Sequence, residues 1–226
     1  MPGFIETELQ FLILCFTTLF TVVNPLGITP IFVAMTERFS PEDRLKIARK
    51  GVSTGTIILL VFTILGSIIF KLYGITVEAF QIMGGILFFR SGIRMLEAKV
   101  GRTRTTDSEQ EEFKESEDAD EIAISPIGLP LITGPGAITG VMLLSAKTPT
   151  TYSLGTLLVA VLITMTLFYY ILRTGDRLSI KIGLTGMRVI QRIMGLMLMV
   201  IAVQFVINGV ETVSYTHLTL PTKRIV

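Results

Sequence analysis

The feature that most constrains this chain is a series of apolar runs, each of about 18 or more residues and so long enough to cross a roughly 30 Å hydrocarbon core. Thr56–Phe70 is the uncharged centre of one such run. Lipid offers no water to an unpaired backbone amide, so a crossing segment must be a helix or a strand of a closed barrel. Barrel strands alternate apolar and polar side chains over about ten residues, and these runs do not alternate. An all-α membrane protein is expected. Composition agrees: 17% of the 226 residues are charged, against about a quarter in soluble domains. A soluble enzyme and a nucleic-acid partner are excluded. The single cysteine, Cys15, permits neither a disulfide framework nor a thiolate metal cluster.

Six spans are expected, at Leu9–Met35, Gly51–Tyr73, Ile75–Leu96, Ile122–Ala146, Leu154–Leu172 and Val189–Val210. Lys and Arg set their orientation. One side collects Arg38, Arg44, Lys46, Arg49 and Lys50, then Arg90, Arg94, Lys99, Arg102, Arg104 and Lys114, then Arg173, Arg177, Lys181, Arg188 and Arg192. The other side keeps Lys71 and Lys147. Only an even set of six crossings puts the three basic groups together, so they are expected to be cytoplasmic, with the N-terminus outside. The first ten residues, MPGFIETELQ, are acidic and lack the basic start of a cleaved signal peptide. The loop 99–121 is rich in Asp and Glu and reads as a cytoplasmic linker. The membrane domain is expected over residues 1–212. Residues 213–226, VSYTHLTLPTKRIV, resemble a translated sequencing-adaptor tail and carry the chain's only histidine, His217. They are set aside from fold reasoning.

The chain matches itself weakly. Pro25, Ile28 and Thr29 recur as Pro135, Ile138 and Thr139 at an offset of 110, and Ile82-Met83-Gly84 recurs as Ile193-Met194-Gly195 at an offset of 111. Halves of roughly 8–98 and 122–210 with three spans each are inverted relative to one another, an arrangement found in secondary transporters. At the matching positions both halves interrupt their first helix. Span one carries Asn24-Pro25-Leu26-Gly27-Ile28-Thr29-Pro30; span four carries Ser125-Pro126-Ile127-Gly128-Leu129-Pro130 and then Gly134-Pro135-Gly136. Proline removes an amide donor and clashes with the carbonyl one turn back. Broken backbone within the bilayer must face protein or water. It offers carbonyls to a cation and helix N-termini to a carboxylate, with Asn24, Thr29, Ser125 and Thr139 as polar side chains alongside. A zwitterionic amino acid presents both groups.

The Asn-Pro-x-Gly-x-x-Pro motif of span one and Pro-x-x-x-Gly-Pro-Gly-Ala-Ile of span four, Pro130 to Ile138, resemble the MarC family of integral membrane proteins, related to LysE-type exporters. The resemblance covers about Phe4 to Val210. It implies a six-span protein of the bacterial or archaeal cell membrane that carries small neutral amino acids such as glycine and alanine. It also marks Asn24, Pro25, Gly27, Pro30, Pro130, Gly134, Pro135 and Gly136 as motif positions. The acidic loop departs from that pattern.

Other features read as structural. Gly51-Val-Ser53-Thr-Gly55 fits a nucleophile-elbow pattern, which requires a strand-turn-helix and a histidine base. Here it opens a membrane helix, and Gly51/Gly55 and Gly136/Gly140 serve close packing instead. Arg90 and Arg94 read as anchors at the basic end of span three. Gln81, Gln204 and Asn208 fit either a pathway or interhelical bonding equally well. Met187, Met194, Met197 and Met199 read as packing residues. No catalytic, metal or cofactor site is expected. Sodium held by main-chain carbonyls remains open, as do the oligomeric state and direction of transport. The bilayer and a small solute are the expected partners. Two other readings survive: an exporter of drugs or amphipathic metabolites, and a non-transporting scaffold whose helices would run straight through both motifs.

Overall fold

The computed structural model describes residues 2–97, 132–146, 148 and 151–218. Ser125, Pro126 and Pro130, the acidic loop 99–121 and residues 219–226 lie outside them. The described residues form helices α1 (Pro2–Val23), α2 (Pro25–Met35), α3 (Pro41–Tyr73), α4 (Val77–Leu96), α5 (Pro135–Ala146), α6 (Thr151–Arg173) and α7 (Gly175–Leu218). Among the described residues, four stretches are long and apolar enough to cross a membrane: Glu6–Met35, Pro41–Tyr73, Tyr152–Arg173 and Thr185–Val213. α4 occupies the expected third span, and α5 the second half of the fourth.

Local chemistry places the helix ends. Ser40 caps α3 by accepting the Asp43 amide at 3.2 Å, with Pro41 at the first helical position. This moves the start of the helix ten residues ahead of the apolar run at Gly51. Gly74, with φ 62°, ends it in the left-handed region that favours glycine. Arg44 donates to the carbonyls of Thr36 and Glu37 at 2.8 and 2.9 Å, meeting the negative end of α2 with a cation. The basic stretch between the last two expected spans is helical rather than a loop. Thr174 breaks the run by a single residue, and α7 then bends at Gly183 (φ 70°, ψ 166°), a conformation only glycine adopts readily. A polar helical turn at the bilayer boundary needs no apolar run, so hydropathy did not register it.

Apolar side chains face both inward and outward. Phe88, Phe168, Leu19, Ile28, Ile132 and Leu143 are fully buried. Ile57, Val61, Ile64 and Ile68 on α3, and Val189, Ile193, Leu196 and Val200 on α7, are exposed, as a lipid-facing surface requires. Hydroxyls inside the bundle donate back to their own helix, as Thr63 does to Leu59 and Thr164 to Ala160 at 2.7 and 2.8 Å. Between helices, Ser145 donates to the Thr63 carbonyl at 2.7 Å, joining α5 to α3. Ser153 and Thr156 of α6 both donate to the Glu8 carboxylate of α1.

α4 and α7 pack antiparallel along a seam of glycines. A Cβ on Gly85 would lie 2.8 Å from the Ala202 carbonyl and 3.3 Å from the Val206 nitrogen. One on Gly195 would lie 2.9 Å from the Gly92 carbonyl and 3.2 Å from the Leu96 nitrogen. The two contacts are reciprocal: 85, 92 and 96 become 195, 202 and 206 when 110 is added. Packing therefore pairs Gly195 with Gly85, where the letters alone align it with Gly84 at 111. The neighbours are consistent with the exchange, since α2 packs on α6 as its counterpart α5 packs on α3.

Candidate functional site

The first helix breaks at one residue. Asn24 adopts φ 52° and ψ 63° between α1 and α2, the only positive φ on a non-glycine among the described residues. Asparagine tolerates this region because its short amide can bond locally. Here the Asn24 side-chain oxygen accepts the Gly27 amide at 3.2 Å and caps α2. Gly27 is required for that fold-back, because a Cβ there would overlap the Asn24 amide. Pro25 opens α2, and α2 continues through Pro30, so the break lies at Asn24 and not at the second proline. Thr29, fully buried, donates to the Pro25 carbonyl at 2.8 Å. Gly175 packs against Thr29 from the start of α7. The polar groups of this motif are thus largely satisfied within the motif itself.

The second break lies at Thr133 and Gly134, ahead of Pro135 at the start of α5. Gly134 stands where Asn24 stands in the first half and has no side chain with which to cap. Its carbonyl accepts from Ala137 and Ile138 at 2.9 and 3.3 Å. Ala137 replaces Gly27, and its methyl is tolerated because no folded-back amide occupies that space. Thr139, the counterpart of Thr29, is buried, and no hydrogen bond engages its hydroxyl among the described residues.

The structure brings the two breaks together. Val22, two residues before Asn24, lies 3.5 Å from where a Gly136 Cβ would stand. Phe88 closes the space from α4: its ring is 3.8 Å from that point, 3.5 Å from the corresponding point on Gly140, and 5.6 Å from the Phe205 ring. One turn away, Gly84 admits the Thr139 methyl, since its own Cβ would come within 2.7 Å of it. A further turn along the same face stands Gln81, 5% exposed, whose side-chain NH2 group lacks a hydrogen-bond partner among the described residues. A buried unpaired amide costs about 1–3 kcal/mol, so it is a group awaiting a partner. A cleft of about 610 Å³ opens beside the second break, walled by Thr133, Gly134, Pro135, Thr139, Phe62 and Phe80.

Asn24, Pro25, Gly27, Thr29, Pro30, Gly134, Pro135, Gly136 and Thr139 therefore fall into two adjoining turns, and Gly134, Pro135 and Thr139 of the second line the cleft. Ser125 and Pro130 lie outside the described residues. Gln204 and Asn208 bond to each other at 2.6 Å along α7, so their pairing is intrahelical. Ser53 donates to the Arg49 carbonyl within α3, as a helical serine does and an elbow nucleophile does not. Phe88 went unmarked in the sequence because one phenylalanine in an apolar run carries no sign of the face it takes.

The profile described as "MarC family integral membrane protein" matches residues 9–214. Among similar proteins are a UPF0056 membrane protein of Methanocaldococcus jannaschii, 36% identical over 89% of this chain and 87% of its own length, and UPF0056 membrane protein YvbG of Bacillus subtilis, 34% identical over 89% and 95%. UPF0056 membrane protein YhcE of Escherichia coli is 32% identical over 87% of this chain and 90% of its own length. No solved structure matches the chain.

Proposed function

The chain belongs to the MarC family of integral membrane proteins, and from that premise we propose that it carries small neutral solutes, amino acids such as glycine or alanine, across the membrane by alternating access. The reading takes the fold as six spans in two inverted halves, with the N-terminus outside and the basic ends cytoplasmic. The observation that carries it is the reciprocity at an offset of 110. It relates the breaks at Asn24 and Gly134 and recurs in the backbone contacts of Gly85 and Gly195. Antiparallel helices related in this way are what a twofold axis in the membrane plane produces.

In this reading the substrate carboxylate meets the start of α5, where Gly134 and Gly136 admit close approach and the helix dipole favours an anion. Thr139 and Gln81 supply the nearby donors. Carbonyls released at the breaks receive the ammonium group, with Asn24, Pro25, Gly27, Thr29 and Pro30 forming the opposing wall. Ser125 and Pro130 belong to the same proposed site. The chain is not an enzyme on this reading, and its chemistry is binding alone. No resident metal or cofactor is invoked.

One observation favours export of a larger amphipathic solute: the 610 Å³ cleft has Ile58, Phe62, Phe80 and Met142 among its walls. Uptake of radiolabelled glycine and alanine into proteoliposomes, with and without a sodium gradient, separates the two. Saturable uptake competed by small neutral amino acids supports the first reading. Its absence alongside efflux of an amphipathic dye would establish the second.

A further inference from the structure

A second groove lies between α3 and α6, about 410 Å³ in volume and separate from both breaks. Arg49, Tyr169 and Tyr170 stand at one end, Thr166 follows, and Leu162 and Met165 form the floor toward the other. α3 has 33 residues, about 50 Å at 1.5 Å per residue. A roughly 30 Å core measured back from Tyr73 ends near Ser53, which sets Arg49 at headgroup level. Tyr169 and Tyr170 lie at the matching level, near the last residue of α6, Arg173.

The groove is therefore polar at the interface and apolar toward the interior. Ser53 and Thr56 have spent their protons on the Arg49 and Val52 carbonyls, at 2.7 Å each. The donors left are the Arg49 guanidinium, the tyrosine hydroxyls and Thr166, none engaged in a side-chain hydrogen bond or ion pair among the described residues. A guanidinium with flanking hydroxyls matches a phosphodiester, to which arginine can donate two parallel bonds. The residues from Arg49 to Thr56 cover about 10 Å of helix, enough for the upper part of an acyl chain on Met165 and Leu162.

We propose that this groove binds one anionic phospholipid, headgroup on Arg49 and acyl chain along the floor. Basic pockets between membrane helices serve this purpose elsewhere. Free phosphate would satisfy the same donors but leave the apolar floor uncovered, which is why the lipid is favoured. The proposal does not depend on what the protein transports.

Native mass spectrometry of the full chain, titrated separately with phosphatidylglycerol, phosphatidylcholine and inorganic phosphate, tests it. Phosphatidylglycerol should be retained about tenfold better than phosphatidylcholine, a preference that Arg49→Gln removes, in line with one charge-assisted hydrogen bond. Arg49→Lys, which keeps the charge but loses the planar fork, should give an intermediate preference. It serves as the decisive variant if Arg49→Gln does not fold. Equal retention of the two lipids, unchanged retention by the folded variant, or displacement of the lipid by inorganic phosphate would each overturn the assignment.

Discussion

The two breaks share a proline and a threonine at the same spacing, yet they end in different chemical states. The first is closed upon itself: Asn24 caps α2 through Gly27, and Thr29 donates to Pro25. The second is open, with Gly134 in place of the capping asparagine and Thr139 without a bond among the described residues. The substitutions compensate in pairs. Asn24 requires Gly27, whereas Gly134 permits Ala137. A main-chain interruption is thus not in itself a binding site; it becomes one where its donors are not consumed locally.

The largest test of this contrast is Gly136→Leu. An alanine there meets Val22 and Phe88 only at ordinary contact distances of 3.5 and 3.8 Å, but a leucine fills the space between the breaks. Uptake should fall to background while membrane insertion persists, and Gly136→Ala should keep most activity. Normal uptake by the leucine variant would remove the site from this position.

The threonines come next. Thr139→Val should weaken apparent affinity about tenfold, the value of one hydrogen bond to a charged group, with little change in melting temperature. Thr29→Val should do the reverse, lowering stability by about 1 kcal/mol with uptake near normal. If both variants behave alike, the two breaks are equivalent after all.

Gln81→Met then separates structure from function on α4. Replacing a buried unpaired amide by an apolar side chain of similar length should leave stability unchanged or slightly raised. Substrate affinity should drop several-fold, as measured by competition uptake. Unchanged affinity would show that Gln81 only fills space.

The smallest effect is a coupling energy. Asn24→Gly and Gly27→Ala should each cost stability, by a few tenths and by about 1 kcal/mol respectively. Together they should cost less than their sum, because the double variant reproduces the Gly134/Ala137 pair. Strict additivity in thermal unfolding would contradict the reciprocal fit.

Much of this was legible in the residues. The break ahead of Pro25 and the non-helical Thr133 and Gly134 ahead of Pro135 were, because proline and glycine act on their own turn. The location at Asn24 rather than Pro30 was not, since a left-handed asparagine is recognised only once its amide finds Gly27. Ser40 caps α3, but the expected span was set by the apolar run alone and so began at Gly51. Phe88 was hidden by its helix, and Gln81 was visible only as a polar residue fitting a pathway or interhelical bonding alike: an apolar run needs no polar face, so its periodicity does not tell which side meets protein.

Residue order dictated what is local or additive: helices from the demands of lipid on backbone amides, end positions from capping residues, and breaks from proline. Contacts distant along the chain depended on assembly. Gly92 and Gly195 approach within backbone distance, Phe88 closes over Gly136, and Arg49 and Tyr169 line one groove only after helices far apart in sequence have packed. Their energies depend on separations of a few ångströms that no single segment encodes, and for that reason two motifs sharing a proline, an isoleucine and a threonine came to rest with one capped upon itself and the other beside a cleft.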